Sequence, residues 1–259
     1  MSSDYVTVKL ERAGALATLT LNRPDRRNGM NRQMVRECHN ALSEVAADKG
    51  IRVLLLTGAG DSFCPGADLG GMIAGETEAD NYCEPEHFHV PTLLHSMPQV
   101  TIAAINGACA GAAFGWVCGA DIRVAKRSAM LNTAFLNVAV AGDMGLPWSL
   151  PRLVGAAKAR EISFFTQKFS ADDAFQMGLV ARVWDDDVFR AEVDELCQQL
   201  VDRSPTALMT MKAHYLAAEN MAFTDYVTFE TEAHQTIVSG PDASEAMSAF
   251  MEKRKPVFD

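Results

Sequence analysis

The chain has 259 residues, 48% of them apolar and 22% charged, which is the composition of an ordinary globular protein able to bury roughly three quarters of its unfolded surface. A formal net charge of −10 excludes nucleic acid and an anionic membrane as the main partner, although an anionic small ligand remains compatible wherever basic residues gather. They gather at Arg23, Arg26 and Arg27 and again at Lys253, Arg254 and Lys255. The start, MSSDYVTVKL, has no basic region followed by an apolar core, so no secretory signal is expected. The six cysteines show no paired spacing and read as reduced, buried thiols of a cytoplasmic protein.

Tyr5 to Leu21 alternates apolar and polar residues and predicts a β-hairpin around Arg12–Ala15. Asn22-Arg23-Pro24-Asp25 is a turn. Residues 31–47 carry helical spacing at Met34, Val35, Cys38, Leu42 and Val45. IRVLLLT (51–57) is a continuous apolar run of strand length, expected to be buried on both faces, and it runs into a glycine loop and then Phe63-Cys64-Pro65-Gly66-Ala67-Asp68. Residues 70–90 are polar and mixed and read as a mobile loop or short helix. His87, His89 and His95 lie there and just beyond, but no cysteine or carboxylate pattern completes a metal site.

The stretch VTIAAINGACAGAAFGWVCGAD (100–121) organises the chain. An apolar β-branched run breaks at Asn106-Gly107 and passes into a helix whose first turns carry almost no side chains. Such a helix lets a ligand approach its N-terminal backbone, where exposed N–H groups and the dipole favour negative charge. The segment lacks the bulk and the basic flank of a membrane span, and its G-x-x-x-G spacing is not that of a dinucleotide fingerprint. Further on, 122–125 is a short strand, 141–145 a glycine-flanked turn and 151–169 a helix. Ser170-x-x-Asp173 is a capping box with Gly178 as the stop. Helices then follow at 188–202, 206–219 and 224–238, and a last one at Pro241, with Asp242 and Glu245 as its capping pair. The first two thirds thus alternate strand and helix, and the last third is a helical subdomain.

Two places offer bare backbone after an apolar strand: Gly66-Ala67 and Gly111-Ala112. If these turns meet, their N–H groups make an oxyanion hole. NRPDRRNGMN (22–31), GAGDSFCPGADL (58–69), AAINGACAGAAFG (103–115), GDMGLPWSLPRLVG (142–155), MGLV (177–180) and the terminal SAFMEKRKPVF resemble, in order and nearly end to end, the crotonase or enoyl-CoA hydratase/isomerase superfamily. The resemblance implies an α/β fold, a spiral of ββα turns over 1–190, with a C-terminal helical trimerisation region over 191–259. It implies a homotrimer or dimer of trimers, an acyl-CoA thioester as ligand, and no cofactor or metal beyond the coenzyme A of the substrate. It places the thioester oxygen on the backbone N–H groups of Ala67 and Ala112, the second usually a glycine. The coenzyme A would lie against Asp68, Leu69 and Gly70, with Arg26 and Arg27 as partners for its phosphates and Lys253 as a weaker candidate from a neighbouring subunit.

The departures from the family pattern decide the chemistry. A hydratase holds its attacking water between two glutamates, and by this resemblance those positions fall on Gly115 and Phe135, neither of which moves a proton. One acid remains, Asp143, at the position of the aspartate in the P-D-x-G turn of double-bond isomerases, with Gly142 in place of the proline. Without that resemblance Asp143 reads as a turn aspartate bonding its own backbone. Three readings stay open: an enoyl-CoA isomerase with Asp143 as acid/base, a hydratase of fatty-acid oxidation that recruits water by other means, and an acyl-CoA-binding protein without turnover.

Overall fold

The computed structural model describes residues 5–74 and 83–258. The hairpin forms as expected: β1 (Val8–Ala13) pairs antiparallel with β2 (Leu16–Leu21), turning at Gly14, whose φ of +58° is left-handed. From β2 the first sheet continues in parallel through β3 (Val53–Gly58), β5 (Val100–Ile105), β7 (Ile122–Lys126) and β10 (Arg182–Trp184). All six residues of β5 are buried, as the unbroken apolar run requires of a central parallel strand.

A second sheet, which no periodicity in the sequence announces, consists of β4 (Ser62–Cys64), β6 (Ala108–Ala110), β8 (Met130–Asn132) and β9 (Phe169–Ser170). Strands β3, β5 and β7 each turn a corner into β4, β6 and β8, so successive chain segments give one strand to each sheet. Most then pass into a helix. This is the ββα spiral, and its repeated corner puts the ends of three strands side by side.

The helices of the core are α1 (Arg32–Ala47), α2 (Leu69–Ala74), α3 (Val90–Ser96), α4 (Ala112–Gly119), α5 (Leu146–Val154), α6 (Ala156–Phe165) and α7 (Ala171–Gln176). Asn31 caps α1 through the Met34 N–H, and Ser170 and Asp173 cap α7 reciprocally as the motif predicted. All eight residues of α4 are buried, so no amphipathic face exists and its small residues set how close its neighbours come. The expected helix over 151–169 is two: α5 starts earlier, at Leu146, and Gly155, at φ +79°, breaks it from α6. The part of the expected loop at 75–82 lies outside the described residues; after it, a 3-10 turn occupies Pro85–His89.

The last third holds α8 (Phe189–Val201), α9 (Pro205–Ala218), α10 (Phe223–Val238) and α11 (Pro241–Glu252). The capping pair expected for α11 does not form. Asp242 instead accepts the Ser204 hydroxyl at 2.6 Å, and Glu245 pairs with Arg254. Helix α8 packs on the outer face of the first sheet through Phe189, Val193, Leu196 and Cys197. Lys212 of α9 is buried, its ammonium on Asp121 at 2.7 Å and on the Gln99 carbonyl at 2.8 Å. Burial lowers its pKa, against the pull of Asp121. The Asp121 carboxylate in turn accepts the Thr101 N–H at 2.8 Å, so this pair, buried on its lysine side, ties α9 to β5. By contrast α10 buries no residue, and Phe223, Phe250 and Met251 of the tail are each about 80% exposed.

Candidate active site

The site is built on the corner after β3. Asn28 is fully buried with φ +62°, and its amide donates to the Ala59 carbonyl at 2.9 Å and the Ser62 carbonyl at 2.7 Å, while its oxygen accepts the Arg23 N–H. Asn106 pins the same corner from the other strand: its Nδ2 donates to the Gly58 and Gly60 carbonyls, and its Oδ1 accepts the Gly58 N–H. The sequence marks Asn106 only as the end of a strand and Asn28 only as part of a motif, and neither bonding role is legible there. Asn28→Ala would remove the side-chain partner of three backbone groups, one buried and two part-buried, at about 1–3 kcal/mol each, and keep an unfavourable backbone angle. The expected result is a loss of about 3–5 kcal/mol of stability in urea titration, large for one side chain.

The NRP turn then grips the Gly66 turn. Met30 and Ala67 form a parallel bridge, in which the Met30 N–H donates to the Gly66 carbonyl at 2.8 Å and the Asp68 N–H to the Met30 carbonyl at 2.9 Å. In such a bridge the central residue of the other strand turns its own N–H away from the pair, so the Ala67 N–H is left pointing elsewhere. Arg23 closes the clamp with an ion pair to Asp68 at 3.0 Å, both side chains nearly buried. Asp68 also caps α2, accepting the Gly71 N–H at 3.1 Å. Desolvation pushes the Asp68 pKa up, but the Gly71 N–H and the Arg23 guanidinium together outweigh it and hold the carboxyl below its ordinary value.

The two bare turns meet. Gly66 has φ +95°, and a Cβ there would lie 2.9 Å from the Ala110 carbonyl oxygen and 3.6 Å from the Gly111 Cα. Gly111, at φ +56°, starts α4, and its own N–H donates to the Asn132 carbonyl. Ala112, the first residue of α4, has an N–H with no intrahelical acceptor, at the positive end of the dipole. The turns that carry Ala67 and Ala112 are therefore packed side by side.

Gly115 follows Ala112 by one turn on the same face of α4. A Cβ at Gly115 would stand 2.6 Å from the Met144 Cβ and 2.7 Å from the Met144 carbonyl oxygen, so the turn before α5 rests directly on bare helix. That turn holds Asp143. Its carbonyl accepts the Leu146 N–H at 3.0 Å, and no side chain among the described residues bonds its carboxyl. Asp143 is an exposed residue, yet partial desolvation of its carboxyl raises its pKa above the usual carboxylate value. Phe135 opens the 3-10 turn at 135–138 and lines a cavity of about 400 Å³ with Gly142, Leu146 and Pro147.

The coenzyme A candidates are placed unevenly. Leu69 and Gly70 are exposed on α2 beside the Ala67 turn. Arg26 and Arg27 are exposed on the NRP turn, whereas Arg23 is consumed by Asp68. Lys253 is the left-handed C-cap of α11, and the tail beyond it ends with the Phe258 carbonyl on Arg52, at the N-terminal end of β3. The Ala67 turn lies past the opposite end of that strand, so within one chain Lys253 is not brought to it. Of the histidines, His87 accepts the Glu84 N–H and His95 pairs with Glu219 at 3.0 Å.

The sequence and the overall fold recur in known proteins. The enoyl-CoA hydratase/isomerase family model matches residues 11–259. The chain is 34% identical to the 1,2-epoxyphenylacetyl-CoA isomerase of Escherichia coli over 93% of this chain and 94% of that protein. It is 30% identical to the short-chain-enoyl-CoA hydratase of Clostridium acetobutylicum over 96% and 95%. The crystal structure of an enoyl-CoA hydratase from Bacillus anthracis superposes with a TM-score of 0.88 at 27% identity, covering 98% of this chain and 99% of that one. Sequence and fold agree, and the chain belongs to the enoyl-CoA hydratase/isomerase family of the crotonase superfamily.

Proposed function

We propose that the protein is an acyl-CoA double-bond isomerase in which Asp143 is the single acid/base and the N–H groups of Ala67 and Ala112 form the oxyanion hole. The observation that carries this is the filling of the Gly115 face by Met144, which leaves Asp143 as the one carboxylate on the turn over α4. The Asp143 carboxylate takes a proton from C2 of a 3-enoyl thioester, and the electron pair moves through the carbonyl carbon onto the thioester oxygen. The two N–H donors hold that oxyanion. The carboxylic acid then returns the proton to C4, the dienolate collapses, and the double bond stands at C2. Atoms and charge balance with no co-reactant. Hydration would need a water held between two carboxylates, and neither Gly115 nor Phe135 supplies one. Turnover of a panel of 2-enoyl-, 3-enoyl- and ring-bearing CoA thioesters, followed by ultraviolet absorbance, tests the reading. Isomerisation without water addition is the expected result; net hydration of a 2-enoyl thioester, or no turnover of any, overturns it.

Assembly belongs to the same proposal. A 16-residue helix with no buried residue, beside a tail carrying Phe223, Phe250 and Met251 in the open, leaves more apolar surface than a monomer ordinarily tolerates. Light scattering should give three or six times the 28.1 kDa subunit mass, and a monodisperse monomer at micromolar concentration would refute the trimer.

A further inference from the structure

The Asp143 carboxyl has no side-chain partner among the described residues, so whatever fixes its position must act through the backbone of its turn. That backbone is unusual. Met144 has φ +48° and Gly145 has φ +70°, two consecutive left-handed residues of which only the second is a glycine. A methionine held in that region needs surroundings that over-determine it. The surroundings are on α4: Met144 is 6% exposed, and both its Cβ and its carbonyl oxygen lie where any side chain at Gly115 would begin. On its other side Met144 borders a cavity of about 300 Å³ shared with Cys118, Gly119 and Trp148. The turn therefore has room to sink if the methionine is removed and nowhere to go if Gly115 acquires a side chain.

We propose that Met144, seated on the bare backbone of Gly115, is the positioning residue that fixes the Asp143 carboxyl through the backbone of their shared turn. This rests on the assignment of Asp143 as the acid/base. It gives Gly115 a role of its own, as the socket that makes a one-carboxylate site rigid. Misplacing a catalytic group by about 1 Å can cost on the order of 100-fold, which sets the scale of the effect.

The test is a double-mutant cycle read by deuterium uptake at C2 of 3-hexenoyl-CoA in heavy water, a reaction needing only the base and the oxyanion hole. Met144→Ala should lower kcat for exchange about 10- to 100-fold with KM changed by less than about threefold, and Met144→Leu, which restores the volume, should recover most of the loss. In an Asp143→Asn background the same Met144→Ala change should alter the residual rate by less than about twofold, because a residue acting through Asp143 has nothing left to position. If the two losses multiply, Met144 acts on α4 or on general packing, and the positioning role is overturned while Asp143 stands. If Asp143→Asn alone leaves the rate intact, the acid/base assignment fails and the positioning role falls with it. Should Met144→Ala not fold, Gly115→Ala, which displaces Met144 from the opposite side, goes through the same cycle with the same expected non-additivity.

Discussion

Replacing Asp143 with asparagine should lower isomerase turnover by about 100- to 10,000-fold, with the affinity for the CoA thioester nearly unchanged. Asparagine keeps the shape and most of the hydrogen bonding of the turn residue, so what is lost is the base. The pH dependence carries an independent sign. The ionised carboxylate is the working form, and partial burial raises its pKa. The acid limb of kcat/KM should therefore sit above the range of an exposed aspartate, with activity falling as pH drops through it. In Asp143→Asn that limb should vanish. Stability should move the other way. A carboxyl whose folded pKa is raised binds its proton more tightly in the native state, so the native state is disfavoured as pH rises and the group ionises. The uncharged asparagine removes that penalty, and thermal unfolding at neutral pH should show no loss. An Asp143→Asn protein with full isomerase activity would leave the oxyanion hole as the whole of the chemistry.

The parts of this molecule that are legible in sequence are those whose signal is local. Strict alternation marks the hairpin, unbroken apolar runs mark β3 and β5, and the Ser170–Asp173 box marks the start of α7 to the residue. The second sheet is illegible because its strands are two or three residues long, too short to show a period, and are stabilised by partners far along the chain. Helix α5 is misplaced by sequence because Pro151 looks like a start. It is in fact interior, where it costs the helix a bond to the Pro147 carbonyl, and the true first turn holds Pro147. The site divides along the same line. The bare turns at Gly66-Ala67 and Gly111-Ala112 announce themselves as glycine after an apolar strand. Arg23, in contrast, reads as one of three clustered basic residues, and its ion pair spans 45 positions to Asp68. The seating of Met144 on Gly115 likewise joins two residues that no periodicity links. Chemistry that depends on such contacts becomes visible only when the chain is folded.

Gly66→Ala should be the second most damaging change, and its effect separates site geometry from backbone strain. A Cβ at position 66 meets the Ala110 carbonyl oxygen at 2.9 Å, and that atom is main chain in β6, a strand paired on both sides and unable to swing aside. Either the 65–68 turn lifts or the Gly111 turn retreats. Both outcomes pull the Ala67 and Ala112 N–H groups out of register with one developing oxyanion. Losing one such donor typically costs about 100- to 1,000-fold in kcat, or about 2.7–4 kcal/mol of transition-state stabilisation. Backbone handedness adds a cost to folding of about 1–2 kcal/mol for an L-residue at φ +95°. Gly14→Ala isolates that second contribution. Gly14 has φ +58°, open space within 4 Å of the point where a methyl would stand, and a place at the hairpin tip away from the corner. It should lose similar stability in urea and keep its kcat. With both variants measured at a temperature where each is fully folded, the expected pattern is a large kcat deficit in Gly66→Ala alone. Equal turnover in the two would mean that the paired turns do not hold the thioester oxygen, whatever the fate of Asp143.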